Sequence, residues 1–264
     1  MESLTKADLD KITTEDLSKL LSNEIIFKYS SLSTGINDIL LKNTLKFSDP
    51  TEYNDPFDCH EYLLKVDMSK ADIEKFIAFQ YPNYSRTLKR EMIRRLNADE
   101  IYKGFETERK RFKITCFSLD KKNTLMWSHY ADKHKGICIG FQFPPIYDDK
   151  FILSPVSYID EIPLFVGKVE AFKMIRYWLS MKSDCWEYEK EIRAIRKATS
   201  TSNFEYVKYE RSCVKEIISG CKVSQTEIEN SKKLLKTNGF DLKDITLKKM
   251  VIDKDTFKLK EIII

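Results

Sequence analysis

The sequence predicts an α+β fold: a mainly antiparallel split sheet with flanking helices. Three observations predict it. Short β-branched and aromatic runs, such as Phe112 to Ser118 and Ile137 to Phe143, recur between amphipathic helical stretches. Strands and helices alternate without the steady strand–helix–strand rhythm of a parallel α/β sheet. The last two alternating runs, Ile245 to Ile252 and Thr256 to Ile263, flank Asp253-Lys254-Asp255 and predict an antiparallel hairpin.

Taken in order, Thr13 with Asp16 three residues on resembles a capping box and starts a short helix. Glu24 to Ser30 reads as a strand. Ser33-Thr34-Gly35 leads into a helix over 36–41, and Leu45 to Ser48 is extended. Asp49-Pro50 and Asn54-Asp55-Pro56 mark turns, because the residue before proline is pushed out of the helical region. Helices are predicted over 69–80, with Ser69 as N-cap and Asp72 at N3, and over 85–96. They belong to a helical insertion, 70–111, within a single domain spanning 1–264.

The centre of the chain is the stretch from Phe112 to Phe143. A strand ends at Ser118. A helix of about three turns follows, capped by Asn123 and stopped at Gly136, and a second strand returns. Trp127, Tyr130, Ala131 and His134 share one face of this helix by spacing, with Met126, His129 and Lys133 on the adjoining stripe. Beyond it, Val156 to Tyr158 is a short strand and Val169 to Ser183 a helix. Trp186 to Ile195 reads as a strand whose period of two puts Glu187, Glu189, Glu191 and Arg193 on one face. Trp127 and Trp186 are both expected to be mostly buried. Val214 to Ser219 is a further strand. Ser224 and Glu227 form a capping box, with Val223 positioned to staple onto Ile228, for a helix that ends at Asn238-Gly239.

Composition narrows the function. The chain has 264 residues, a formal charge of +4, 42% hydrophobic and 33% charged residues. This is the profile of a globular protein with a substantial core. No apolar run approaches the ~20 residues of a membrane helix. The polar N-terminus fits neither a signal nor a transit peptide, so a cytoplasmic location and no membrane partner are expected. Six cysteines without a CxxC pair read as reduced thiols, and no zinc-ligand spacing occurs. Tyr84 to Lys113 carries ten Lys and Arg against five Asp and Glu. Arg86, Arg90 and Arg94 form a basic stripe on one helix. That stripe is either a solvated face or a surface for nucleic acid.

Several pieces together resemble DUF2971, a bacterial family of unknown function. They are EIIFKYSSL (24–32), FSDPTEYNDPFD (47–58), CFS (116–118), LMWSHYADKHKGICIGF (125–141), KSDCWEYEKEIR (182–193) and VKEIISG (214–220). The insertion before Phe112 is the least family-like part. The order of pieces is also distantly similar to the ADP-ribosyltransferase fold. That fold has a first strand anchoring the dinucleotide, a Ser-ended strand followed by a helix, and a later Glu-x-Glu.

The resemblance implies Lys28 and Tyr29 on the first strand, Ser118 at the end of the second, and Glu189 and Glu191 as the acidic pair. Transferases of that fold commonly carry Arg or His where this chain has Lys28-Tyr29. It further implies NAD as substrate and chemistry at its nicotinamide riboside bond, by transfer to an unidentified macromolecular acceptor or by hydrolysis, in a bacterial defence or toxin role. In that reading Glu191 steadies positive charge on the ribose, with Glu189 and Ser118 orienting it. Trp127 and Tyr130 stack on a ring, and His129 or Arg193 meets the pyrophosphate. Asn54 and Asp55 of the polar loop are recognition residues. Two alternatives stand beside it: a non-catalytic nucleotide- or protein-binding module, and a nucleic-acid-binding protein using the helix over 86–95.

Overall fold

The computed structural model describes residues 21–60, 63, 65–67, 69–95, 98–144, 150–162, 164–166 and 178–264. The predicted helix at Thr13 and residues 169–177 of the helix predicted over 169–183 lie outside these residues; Met181–Ser183, predicted within that helix, form a strand instead.

In chain order the strands are β1 (Ile26–Ser30), β2 (Thr44–Ser48), β3 (Lys65–Asp67), β4 (Phe112–Ser118), β5 (Ile137–Phe141), β6 (Ile152–Pro155) and β7 (Ser157–Ile159). They continue with β8 (Leu164–Val166), β9 (Met181–Ser183), β10 (Glu191–Lys197), β11 (Phe204–Lys208), β12 (Val214–Ser219), β13 (Thr246–Ile252) and β14 (Leu259–Ile263). The longer helices are α1 (Lys70–Gln80), α2 (Arg86–Arg95), α3 (Ala98–Arg109), α4 (Thr124–Tyr130) and α5 (Gln225–Thr237). Residues Gly35–Leu41, predicted as an ordinary helix, are wound as a π-helix.

Contacts divide the chain into two compact units. The first holds residues 1–48, 113–156 and 185–264. Its sheet runs β11-β2-β4-β1-β5-β12-β13-β14, with β10 pairing β4 and β6. The architecture is α+β, and neighbouring strands of this sheet pair antiparallel except β12 and β13, which run parallel and are joined in sequence through α5. β1 pairs over five residues with β5, from Ile26 opposite Phe141 to Ser30 opposite Ile137. It meets β4 only where Phe27 lies opposite Ser118. β2 likewise meets β4 only at Ser48 opposite Ile114. β4 is therefore a branch point from which neighbours splay.

Alternation places two cores on opposite faces of this sheet. Ile26, Phe117, Ile139, Phe141 and Ile192 belong to one, packed with Ile36, Leu40 and Phe240. Phe27, Tyr29, Cys138, Ile218 and Met250 belong to the other, under Met126 and Trp127 of α4. Ser224 closes the predicted capping box on α5 with Glu227, and Val223 and Ile228 are both buried. Gly239 follows that helix at φ 71°, the left-handed conformation that favours glycine at a helix stop.

The second unit holds residues 49–112 and 157–184. It contains α1, α2, α3 and the short parallel pairs β3–β8 and β7–β9. Ser69 caps α1 through the backbone N–H of Asp72, as predicted. The helix α3 lies within the helical insertion predicted over 70–111, although the sequence marked no separate helix there. Trp178 Nε1 donates to the His60 carbonyl at 2.8 Å, and buried Lys182 lies 3.8 Å from buried Asp58. No helix among the described residues is long and apolar enough to cross a membrane.

Candidate functional site

Four segments of the first unit bring most of the predicted residues into one corner: the end of β4, the helix α4, the turn before β10, and β10 itself. Asn123 caps α4 with its side-chain oxygen, accepting from the N–H groups of Leu125 at 2.8 Å and Met126 at 3.3 Å. Its amide donates to the Tyr188 carbonyl at 3.0 Å. One asparagine therefore starts the helix and ties it to the turn. The sequence marked Asn123 as a cap; its second bond is visible only in three dimensions.

The helix is shorter than its spacing predicts. It ends at Tyr130, and Asp132, Lys133 and His134 follow with φ of 45°, 52° and 71°. Three consecutive non-glycine residues in the left-handed region cost roughly 1–2 kcal/mol each. Bonds from Lys133 N to the Ser128 carbonyl, His134 N to the Trp127 carbonyl and Gly136 N to the Ala131 carbonyl hold them there. His134 thus leaves the helical face assigned to it, and Gly136 leads into β5 instead of stopping the helix. A Cβ on Gly136 would run into the carbonyls of Ser30 and Ala131, which explains the glycine by close approach.

The predicted strand from Trp186 is also corrected. Asp184–Glu189 is a 3₁₀ turn, Lys190 stands at φ 45°, and the strand begins only at Glu191. The left-handed residue breaks the period of two, so Glu187 and Glu189 do not join Glu191 and Arg193 on a strand face. The Lys190 carbonyl still accepts from Leu119 N at 3.0 Å, which keeps the kink against the end of β4.

Glu189 and Glu191 consequently occupy different environments. Arg193 is fully buried and grips Glu191 with two bonds, Nε to Oε1 at 2.9 Å and Nη2 to Oε2 at 3.3 Å. Cys116 hydrogen-bonds the same carboxylate; burial, then Glu191, pushes its thiol pKa up to about 12. Glu189, also buried, accepts from the Tyr130 hydroxyl at 2.6 Å. Its backbone carbonyl accepts from the Ser118 hydroxyl at 2.6 Å.

Ser118 also donates to the Asp120 carbonyl at 3.1 Å and accepts from Asp120 N at 2.9 Å. Its oxygen is committed to holding the chain turn. Trp127 is 0% exposed, donates to the Lys121 carbonyl at 2.8 Å and meets Tyr29 edge-on at 5.2 Å. Tyr29 in turn donates to the Asp120 carbonyl at 2.6 Å. Neither ring is placed to stack on a ligand without repacking. Trp186, expected to be mostly buried, is only partly so.

Lys28 reaches into the gap where β1 and β4 splay. Its amine donates to Thr115 Oγ1 at 2.8 Å and to the Cys116 carbonyl at 2.9 Å. Burial lowers its pKa, and Cys116 and Glu191 oppose that shift. By strand alternation Lys28 points to the Phe117 face of the sheet, away from Tyr29.

The surface of this corner is aromatic. His129 is exposed, with ring centroids 6.1 Å from Tyr130 and 6.4 Å from Tyr188, and Trp186 follows at 6.0 Å from Tyr188. His129 Nδ1 lies 3.4 Å from the Tyr188 hydroxyl. The sequence singled out His129 and Tyr130 but missed Tyr188 as a partner, because a straight strand would have turned it away.

In the second unit, Asn54 is exposed in a bend. Asp55 is buried, and its Oδ1 accepts from Phe57 N at 2.9 Å in an Asx turn. Its Oδ2 is buried without a hydrogen-bond partner among the described residues. The basic helix α2 has no buried residue, and its Arg95 pairs with Glu91 at 2.7 Å. No group of His, Cys, Asp and Glu suited to a metal ion occurs among the described residues.

Residues 126–194 match the model of a family described as a protein of unknown function, DUF2971. The matched segment contains Trp127, His129, Tyr130, Glu189, Glu191 and Arg193, and so most of the corner. No curated protein and no solved structure matches the chain.

Proposed function

We propose that the corner around Glu189 acts on the nicotinamide riboside bond of NAD, as an ADP-ribosyl transferase or a glycohydrolase. The observation that carries this reading is the Tyr130–Glu189 bond of 2.6 Å, set behind a partly exposed row of His129, Tyr130 and Tyr188. In this reading aromatic rings receive the flat nicotinamide or adenine. The phenol fixes a carboxylate beside the ribose, where it steadies positive charge as the bond to nitrogen breaks. The electron pair leaves with nicotinamide. Water or an acceptor hydroxyl then bonds to the ribose carbon and loses its proton. In this reading Glu189, bonded to the half-exposed Tyr130, takes the reactive role, and Glu191, held by Arg193 and Cys116 deeper in the fold, the supporting one. Loss of NAD in a target cell is what would make such an enzyme a toxin or defence effector. The six cysteines, all among the described residues, form no disulfide, which suits a cytoplasmic setting.

The experiment is release of free nicotinamide from NAD by the purified chain, alone and with cell extract as acceptor. Wild type should release it, and Glu189→Gln should lose at least a hundredfold in rate while keeping its circular dichroism spectrum. No release under either condition removes the enzymatic reading.

A second reading has its own support. Lys28, Tyr29, Ser118, Trp127, Glu191 and Arg193 all have partners within the protein. Such a corner suits a non-catalytic nucleotide- or protein-binding module. Calorimetric binding of NAD or ADP-ribose without turnover selects that module.

A further inference from the structure

The strand at one end of the large sheet, β11, is inverted. Alternation usually turns apolar side chains inward and polar ones to solvent. In β11 the outward residues are Phe204, Tyr206 and Lys208, while Glu205 and Val207 face in. Phe204 is 42% exposed and Tyr206 56%.

This register is firmly held. Five pairs run from Phe204 opposite Ser48 to Lys208 opposite Thr44. Glu205, buried, accepts from Arg196 Nη1 at 2.7 Å, Thr199 N at 2.6 Å, Ser200 N at 2.9 Å and Ser200 Oγ at 3.2 Å. A slip of one residue would bury both rings and expose the carboxylate. The Glu205 anchor therefore holds two aromatic rings in water against their hydrophobic preference.

The outward face of β11 continues onto β2 through Thr44, Lys46 and Ser48. These six positions supply two rings, two lysines and two hydroxyls, with no carboxylate among them. Lys46 Nζ sits 4.7 Å above the Phe204 ring, and Phe204 meets Tyr206 edge-on at 5.6 Å. Phe204 is thus engaged by both neighbours and steadies Tyr206, whose ring is the more exposed.

We propose that this face of β2 and β11 binds single-stranded nucleic acid, with a base stacked on Tyr206 and phosphates beside Lys46 and Lys208. Rings with a π-face open to solvent accept any base, and adjacent lysines follow the backbone. The charge argues for an anionic partner. A second copy of the chain would bring lysines against lysines. The site shares no residue with the Glu189 corner or with helix α2, and it does not depend on the NAD reading.

The test uses the purified full chain and fluorescein-labelled 12-nucleotide oligo-dT and oligo-U, followed by anisotropy from 50 to 200 mM KCl. Binding should weaken linearly on logarithmic axes as salt rises. Tyr206→Ala should lower affinity about tenfold with the slope unchanged, and Tyr206→Phe should keep it. Lys46→Gln and Lys208→Gln should each reduce the slope by about 0.7. Since these side chains point outward, thermal melts verify that each variant is folded. The proposal is overturned if wild type binds neither oligonucleotide, or if folded Tyr206→Ala binds as tightly as wild type. It is equally overturned if binding disappears only with Arg86→Gln, Arg90→Gln and Arg94→Gln, which moves the site to α2. Concentration-dependent sedimentation abolished by Tyr206→Ala, without oligonucleotide binding, makes the face a contact between copies instead.

Discussion

Glu189 and Glu191 stand two residues apart, and both are buried, yet they stand on different elements and only one is bonded to a ring at the surface. Glu191 lies on a regular strand and is clamped by a fully buried guanidinium, so its charge is satisfied inside the fold. Glu189 lies on a 3₁₀ turn and meets a phenol whose ring is part of the protein surface. The left-handed Lys190 between them makes the difference. A buried carboxylate held by a cation serves the fold. A carboxylate bonded to a half-exposed phenol lies one side chain from solvent.

The largest expected effect is on Glu191. Replacing it with Gln removes an ionic partner of buried Arg193, and breaking such a buried pair costs on the order of 3–5 kcal/mol. Urea denaturation should show a midpoint far below wild type. A Glu191→Gln protein as stable as wild type would erase the contrast, because Glu191 would then be no more structural than Glu189. Next comes Tyr130→Phe, which removes one hydroxyl from a bond to a charged group and should cost about 1.5–3 kcal/mol. Nicotinamide release, if present, should fall with it, whereas Glu191→Gln should lower activity only as far as it lowers the folded fraction.

A pH series isolates carboxylates remote from this corner. Burial opposes ionisation of Glu205, but bonds from Thr199 and Ser200 and the charge of Arg196 outweigh it and lower its pKa. Asp253 is lowered to about 2, mainly by the Asp255 N–H and Lys260. Each pKa is lower in the folded chain, so each contributes stability present above the unfolded pKa and lost as pH falls through the folded one. Melting temperature should therefore drop between about pH 4.5 and 2, and Glu205→Gln should flatten part of that drop. Melting curves of wild type and Glu205→Gln at half-unit pH steps measure it. The smallest effect is expected at His129, whose exposed ring should leave stability within ~0.5 kcal/mol when replaced by Ala. A shift in NAD affinity by calorimetry without a shift in melting would assign His129 to recognition.

Much of the fold was legible because its signals are local. The strands at 26–30, 112–118 and 214–219 follow from β-branched and aromatic runs. The caps at Ser69, Asn123 and Ser224 follow from side chains that satisfy helix-end N–H groups. The two errors in the corner share one cause. Lys190, Asp132, Lys133 and His134 adopt positive φ without being glycine, held by local backbone bonds and by long-range ones from Leu119 N to the Lys190 carbonyl and Lys222 N to the His134 carbonyl. Composition carries no trace of that, so the strand was extended back to Trp186 and the helix forward to Gly136. The strand β11 was missed for a related reason, since its outward aromatics and inward Glu205 reverse the expected pattern. The corner was half legible: its residue types stood out in the sequence, but their division between Glu189 and Glu191 depended on a single kink.

The order of strands in the large sheet also sets how the chain must emerge and fold. β2 finds its partner β11 about 160 residues later, and β1 finds β5 more than a hundred residues later. At a synthesis rate of ~5–20 residues per second, β2 waits roughly 8–30 seconds for its partner while its apolar residues stay uncovered. Such distant pairings also slow refolding from denaturant. A nascent chain released at Lys197 would lack β11 and β12, so it should remain protease-sensitive and depend on chaperones, whereas the full-length chain should become resistant only after release.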